Sequence, residues 1–399
     1  MKHTTSHEFG SPVIRPEMPE LDTLRGIAVS AVVLFHAFGF PYGPSGLSGI
    51  PKILVGLTMC GWMGVNLFFV LSGFLITGIL LDTKSRADYY RRFYFRRALR
   101  ILPLYYLILL LLLLLAREGF VPRHVSWAFL GLSAVYLSNV TSLFGVPMQY
   151  GVLWSLAVEE HFYLLWPTVV RAISRRRVVV CGFAVVASCL LCRVTYYALG
   201  WTGGPYTWLS ADGLGLGAVL AAVARKSGDS RKSVLRFTIL AFVSSCALLV
   251  AGAPFGIFLA RHFLGVTFRE TAIDLFFGAV VGGTLLAGSS RWRRFVNLHP
   301  FQFLGKISYG IYLAHMLIFE VVAHFTLRYL PRLQPTAGQF KLMVLQFCVA
   351  GSLTMALTCI SRRYFEEPFL RMKEGAKQTS ADRINVDRTE IDNFEVVAS

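Results

Sequence analysis

Between Arg91 and Arg117 the chain reads RRFYFRRALRILPLYYLILLLLLLLAR, an arginine-rich entry that gives way after Arg100 to a long run with no charge until Arg117. A bilayer core takes about twenty mostly apolar residues as one helix, so this stretch predicts a membrane span entered through a basic collar. The rest of the chain agrees. Of 399 residues, 55% are hydrophobic and 15% charged, where a soluble domain carries about a quarter charged. Apolar runs of similar character begin near Leu24, Gly61, Val152, Val178, Thr207, Leu235, Thr271, Phe303 and Phe340. With the run at Ile101 they make ten predicted spans, an all-α integral membrane protein. The polar, proline-containing start from Met1 to Glu20 lacks the pattern of a cleaved secretory signal.

Charge orients the spans. With both termini inside, 25 Lys and Arg residues fall in inner segments and eight in outer ones, as the positive-inside rule requires. An eleventh apolar stretch, Val125 to Phe144, would reverse this bias if it crossed, and is expected to be an outer re-entrant or interfacial element. Its neighbourhood carries Trp127, Phe129, Tyr136, Phe144 and Tyr150, which either stack on sugar faces as a lid or form an interfacial aromatic belt. The expected organisation is a cytoplasmic segment 1–20, a membrane domain 21–373 and a disordered cytoplasmic tail 374–399. The net charge of +17 belongs to the loops and argues against a nucleic-acid partner. Six of the seven cysteines fall in spans, where they read as packing residues. Cys189 and Cys192 have C-x-x-C spacing without a strand or histidine to support redox or metal use, and no metal motif is visible.

Ionisable groups inside spans are expensive and point to function. Arg25 and His36 are eleven residues apart, about three helical turns, so they share a face roughly 16 Å apart along the axis. Arg97 and Arg100 share a face at the mouth of the span that follows, and their planar forks suit phosphate. In Trp154-Ser155-Leu156-Ala157-Val158-Glu159-Glu160-His161-Phe162-Tyr163, the residues Ser155, Glu159 and Tyr163 align at i, i+4 and i+8, which turns Glu159 toward a cavity or toward another helix's arginine. Ser308, Tyr312 and His315 make a second polar stripe, with Ser308 and Tyr312 as binding residues and His315 as a second catalytic group or an orienting donor. Arg193 and Asp212 are expected to form a structural ion pair. Gly213-x-Gly215-x-Gly217 reads as close helix packing, and so does Ser72.

Five motifs occur in order: Leu21-Asp22-Thr23-Leu24-Arg25-Gly26-Ile27-Ala28 leading to His36; Asn66 to Ile76, read NLFFVLSGFLI; the Arg97/Arg100 element; Trp154 to Pro167; and Ser308 to His315. Together they resemble the membrane acyltransferase 3 family over about Leu21 to Lys373. One departure is His161, where the family commonly has glutamine, and it bears on the hydrogen bonding around Glu159. The resemblance implies a multi-pass protein of the cell inner membrane that carries an acyl group, acetyl foremost, from acetyl-CoA or another cytoplasmic acyl-CoA to a hydroxyl of an extracytoplasmic glycan or lipid-linked sugar among membrane lipids. It implies that His36 is the essential group on the acyl path, that Arg25, Arg97 and Arg100 engage coenzyme A, and that Glu159 serves the reaction or its acceptor. Histidine near pH 7 serves as base or as acyl acceptor, and the residues leave both open. The fused outer hydrolase-like domain of some family members is not expected here. The rival class is an exporter or proton-coupled transporter, which the absence of an inverted repeat disfavours.

Overall fold

The computed structural model describes residues 13–15, 17–39, 43–121, 125–201, 203–226, 228–259, 261–287, 297–329 and 339–372. The expected tail 374–399, most of the segment 1–20 and the basic segment from Arg291 to Arg294 lie outside these residues. All ten anticipated runs are helical. They correspond to α1 (Pro19–Leu34), α3 (Gly64–Asp82), α4 (Tyr89–Arg117), α6 (Leu153–Ala172), α7 (Arg175–Ala198), the pair α8 (Thr207–Ser210) and α9 (Asp212–Ala224), α10 (Ser230–Gly252), α12 (Arg269–Leu286), α14 (Ser308–Tyr329) and α15 (Gln339–Ser361). Shorter helices fill the connections: α2 (Gly49–Thr58), α5 (Trp127–Ala134), α11 (Phe263–Thr267) and α13 (His299–Lys306).

Seven of the described helices are long and apolar enough to cross a membrane. The other three runs fall short for reasons the sequence explains. Helix α6 carries Glu159, Glu160 and Arg171, α12 carries Arg269, Glu270 and Asp274, and the run at Thr207 is broken after Ser210, leaving α9 only 13 residues long. Buried on nearly every side, α9 is the post around which α3, α7, α10 and α12 pack. Small residues permit this approach: a Cβ at Gly217 would stand 2.1 Å from the Val70 carbonyl, and one at Gly73 2.1 Å from the Leu214 carbonyl. The glycine triplet of α9 is therefore a packing stripe, as expected.

Local signals start and stop the helices. Pro19 opens α1 with its fixed φ, and Ser126 and Asp229 cap α5 and α10 by accepting from Phe129 N and Lys232 N at 3.1 and 2.9 Å. Contacts between loops sort the ends of the bundle. Lys84 donates to the Ile173 carbonyl, Arg175 to the Ala222 carbonyl at 3.0 Å, and Arg225 pairs with Asp82 at 2.7 Å. The basic loops after α3, α6 and α9 thus gather at one end. At the other end, Ser142 meets the Tyr206 hydroxyl at 2.8 Å and Arg193 reaches the Thr267 carbonyl at 3.1 Å.

The stretch from Val125 to Phe144 does not cross the bundle: it forms the eight-residue α5 and a 3₁₀ turn, Ser138–Phe144, and a helix of eight residues is about 12 Å long. Three of its five aromatics fit neither the lid nor the belt expectation. Phe129 and Tyr150 are fully buried, and the Tyr150 hydroxyl donates to the Leu313 carbonyl at 2.6 Å. Tyr136, at φ 59°, stacks on Tyr105 with 4.4 Å between ring centres. These rings join the core that locks α4 to α14. Only Trp127 and Phe144 remain outward, 66% and 60% exposed.

Candidate active site

Two cavities lie one beyond the other along the bundle. The first, about 110 Å³, sits toward the basic end and is lined by Arg25, Arg97 and Arg100 together with Ser72, Ser155, Glu159, Tyr163, Ser308 and Tyr312. Six of the eight residues expected to form the site are therefore brought together in it. Three guanidinium groups face one carboxylate, so the cavity carries an excess of positive charge in a low-dielectric setting, which suits an anion of several phosphates. Two of the cations are held: Arg25 lies 3.8 Å from Asp22, and the Arg97 guanidinium sits over the Tyr163 ring at 4.6 Å.

Glu159 is fixed from two sides. Ser72 Oγ donates to Oε1 at 2.7 Å and the Tyr163 hydroxyl to Oε2 at 3.0 Å. The i, i+4 relation on α6 predicts the tyrosine contact, whereas Ser72, read as packing, is a site residue that the sequence reading misses. Nothing in the local sequence of α3 shows that its serine meets a carboxylate 87 residues away. His161 takes no part in this arrangement. Its Nδ1 lies 2.6 Å from Thr207 Oγ1, which also accepts from Asn139 at 2.9 Å, so the departure from glutamine is felt at α8 and leaves Glu159 untouched.

His36 lines the second cavity, of about 460 Å³, with Trp62, Asn66, Trp154, Tyr196, Arg193, Asp212, Arg269 and Glu270. Its position has a local cause: α1 widens into a π turn over Phe35–Gly39, a distortion frequent at functional sites. Arg25 and His36, eleven residues apart along one helix, line different cavities. His315 is fully buried behind His36, with its Nε2 3.1 Å from His36 Nδ1. Its Nδ1 lies 3.0 Å from the Ile311 carbonyl. A carbonyl can only accept, so His315 carries a proton on Nδ1, and as a neutral imidazole it accepts at Nε2. His36 Nδ1 is then the donor, and the His36 lone pair resides on Nε2. The contact with His36 is what an orienting donor or a second catalytic group at His315 would have in common.

Val65, Phe69 and Tyr312 line both cavities and so form the partition between them. The Tyr312 hydroxyl bonds Ser155 Oγ at 2.5 Å, and Phe68 packs edge-on to the Tyr312 ring at 6.0 Å. Beyond the partition the predicted Arg193–Asp212 pair is present and buried, with Thr271 also donating to Asp212 at 2.6 Å. The remaining polar lining of the second cavity escapes sequence reading because it comes from helix ends far apart in the chain. One signal was available: Glu270 and Asp274 stand at i, i+4 where α12 enters its apolar run.

Comparison with known proteins follows this geometry. The family model described as an acyltransferase domain matches residues 18–363. The peptidoglycan O-acetyltransferase OatA of Listeria monocytogenes is 26% identical over 408 residues, 92% of this chain and 57% of the relative. The O-acetyltransferase OatA of Staphylococcus aureus is 27% identical over 396 residues, 90% of this chain and 58% of the relative. YrhL of Bacillus subtilis is 29% identical over 349 residues, 79% of this chain and 49% of the relative. The chain thus spans about half the length of these relatives. No solved structure matches. With the match running through all five motifs and both cavities, the chain belongs to the acyltransferase 3 family of multi-pass membrane proteins.

Proposed function

We propose that this protein moves an acyl group, most simply acetyl, from cytoplasmic acyl-CoA in the first cavity to a hydroxyl of a glycan or lipid-linked sugar in the second, across the inner membrane. The observation that carries this reading is the gathering of Arg25, Arg97 and Arg100 from two separate sequence motifs around one small cavity, with the His36–His315 pair just beyond its inner wall. The names of the relatives from Listeria and Staphylococcus favour an O-linked acetyl group, and the first of them a peptidoglycan acceptor. A nucleotide donor is too large for about 110 Å³. Its phosphates stay at the arginine-lined mouth while the thioester arm extends toward the partition.

The chain's own groups then divide the work. Arg97 and Arg100 bind, and Glu159, fixed by Ser72 and Tyr163, balances their charge. His36 Nε2 takes the proton of the acceptor hydroxyl as its oxygen bonds to the acyl carbon. The carbon–sulfur bond breaks, and the proton passes to the leaving thiolate. Nε2 equally serves a two-step route in which it first receives the acyl group, and trapping of an acyl-imidazole separates the two. His315 holds the imidazole in the tautomer that either route needs.

Equilibrium binding of radiolabelled acetyl-CoA to the purified protein tests the donor side. Charge-assisted hydrogen bonds contribute about 1.5 to 3 kcal/mol each, so Arg97→Ala and Arg100→Ala should each weaken binding by about tenfold or more. Unchanged affinity in both would remove acyl-CoA from the first cavity.

A further inference from the structure

Glu270 stands in the second cavity held from both sides. Asn66 Nδ2 donates to its Oε2 at 3.3 Å, and Arg269 Nη2 reaches Oε1 at 3.3 Å. Asn66 is itself anchored from behind, because Nδ2 also donates to the buried Asp274 at 3.0 Å. Both amide hydrogens of Asn66 are thereby spent on carboxylates, and Glu270 is presented, 29% exposed, as a preorganised acceptor of hydroxyl hydrogens. Around it the cavity shows the rings of Trp62, Trp154 and Tyr196. Arg269 covers the Trp62 ring at 5.3 Å, and Phe69 abuts Trp154 edge-on at 5.9 Å, so both indoles are fixed in place before any ligand arrives.

Charge narrows the class of ligand. The ionisable lining is Arg193 with Asp212 and Arg269 with Glu270, plus His36. The cations and anions balance in pairs, unlike the first cavity with its three arginines. A balanced, aromatic-walled cavity of about 460 Å³, inside the usual range of about 300 to 1,000 Å³ for small-ligand sites, suits an uncharged ring with several hydroxyls. Resting on the functional reading above, we propose that this cavity is the acceptor site, that it takes uncharged sugar units, and that Glu270, set by Asn66 and Arg269, fixes which hydroxyl comes to His36, with Trp62 and Trp154 as ring platforms.

The test is a ligand-observed NMR titration of the intact, detergent-purified protein with chitotetraose and maltotetraose, both uncharged, beside tetragalacturonate and de-N-acetylated chitotetraose as anionic and cationic counterparts. We expect an uncharged chain to bind at least fivefold more tightly than either charged one. Glu270→Gln and Trp154→Leu should each weaken that binding at least fivefold, and Trp154→Phe, which keeps a ring, should recover most of the loss. Thermal melts of the same samples identify any variant that fails to fold, and Glu270→Gln, which keeps the side chain's shape, carries the test if Trp154→Leu does not fold. The proposal is overturned if neither uncharged chain binds, if a charged chain binds best, or if folded Glu270→Gln and Trp154→Leu bind as the parent does. Acetyl-CoA consumption by the parent protein is measured in parallel. Its absence alongside variant-sensitive sugar binding would sink the transferase reading and leave the sugar site standing; transfer that proceeds with variant-insensitive binding would do the reverse.

Discussion

Among single residues, one backbone carbonyl orders the pair of imidazoles. Ile311 can only accept, and with both imidazoles neutral that constraint passes through His315 to set which nitrogen of His36 bears the lone pair. His315→Ala would leave His36 able to turn, so transfer should fall severely, while His315→Gln, which retains an acceptor near the same place, should recover part of it. Equal loss in both would show that His315 acts by packing alone. On the donor side, Ser72→Ala removes one of two bonds holding Glu159. A bond to a charged group contributes about 1.5 to 3 kcal/mol, and the variant should lose about tenfold or more in transfer without losing its fold. An unchanged rate would return Ser72 to the packing role that its sequence context suggests.

The pattern of what was legible at this scale is physical. His36, Glu159, Arg25, Arg97 and Arg100 announce themselves because a charge in an apolar run has no cheap alternative to function or pairing. Ser72, Asn66 and Trp154 are ordinary in membrane helices, and their roles exist only once α3, α6 and α12 have met. The depth difference between Arg25 and His36 was readable from spacing, whereas the partition of Val65, Phe69 and Tyr312 that assigns them to separate cavities was not.

At the level of elements, close approach around α9 organises both cavities, since α3 supplies Ser72 to one and Asn66 to the other. Backbone contact at Gly73 and Gly217 sets that position. A methyl at Gly73 would meet the Leu214 carbonyl at 2.1 Å, so Gly73→Ala must push α3 from α9; a lower melting temperature together with reduced transfer is expected. Gly131 on α5 offers the contrast, for a Cβ there meets nothing within 4 Å. Gly131→Ala should be neutral or stabilising by about 0.5 to 1 kcal/mol through reduced unfolded-state freedom. If both variants melt alike, the stripe does not control the helix spacing. Sequence showed the stripe plainly, yet it could not show that Tyr136 and Tyr150 pack into the core between α4 and α14.

For the whole molecule, the ten-span reading requires the loops to sort by charge, and the contacts place Ile173 and Ser142 at opposite ends of the bundle. Cysteine labelling from outside the cell should therefore modify Ser142→Cys and spare Ser174→Cys until the membrane is permeabilised; equal labelling would refute the ten-span arrangement. The central claim is that one polypeptide takes acyl-CoA at the basic end and delivers the acyl group, through His36, at the other. Its most direct measurement uses proteoliposomes with radiolabelled acetyl-CoA confined to the side of the basic loops and glycan acceptor confined to the opposite side. Label should appear on the trans acceptor with the parent protein and vanish with His36→Ala, while that variant still binds acetyl-CoA. Label reaching only acceptor on the donor's own side, or trans labelling undiminished by His36→Ala, would contradict the account.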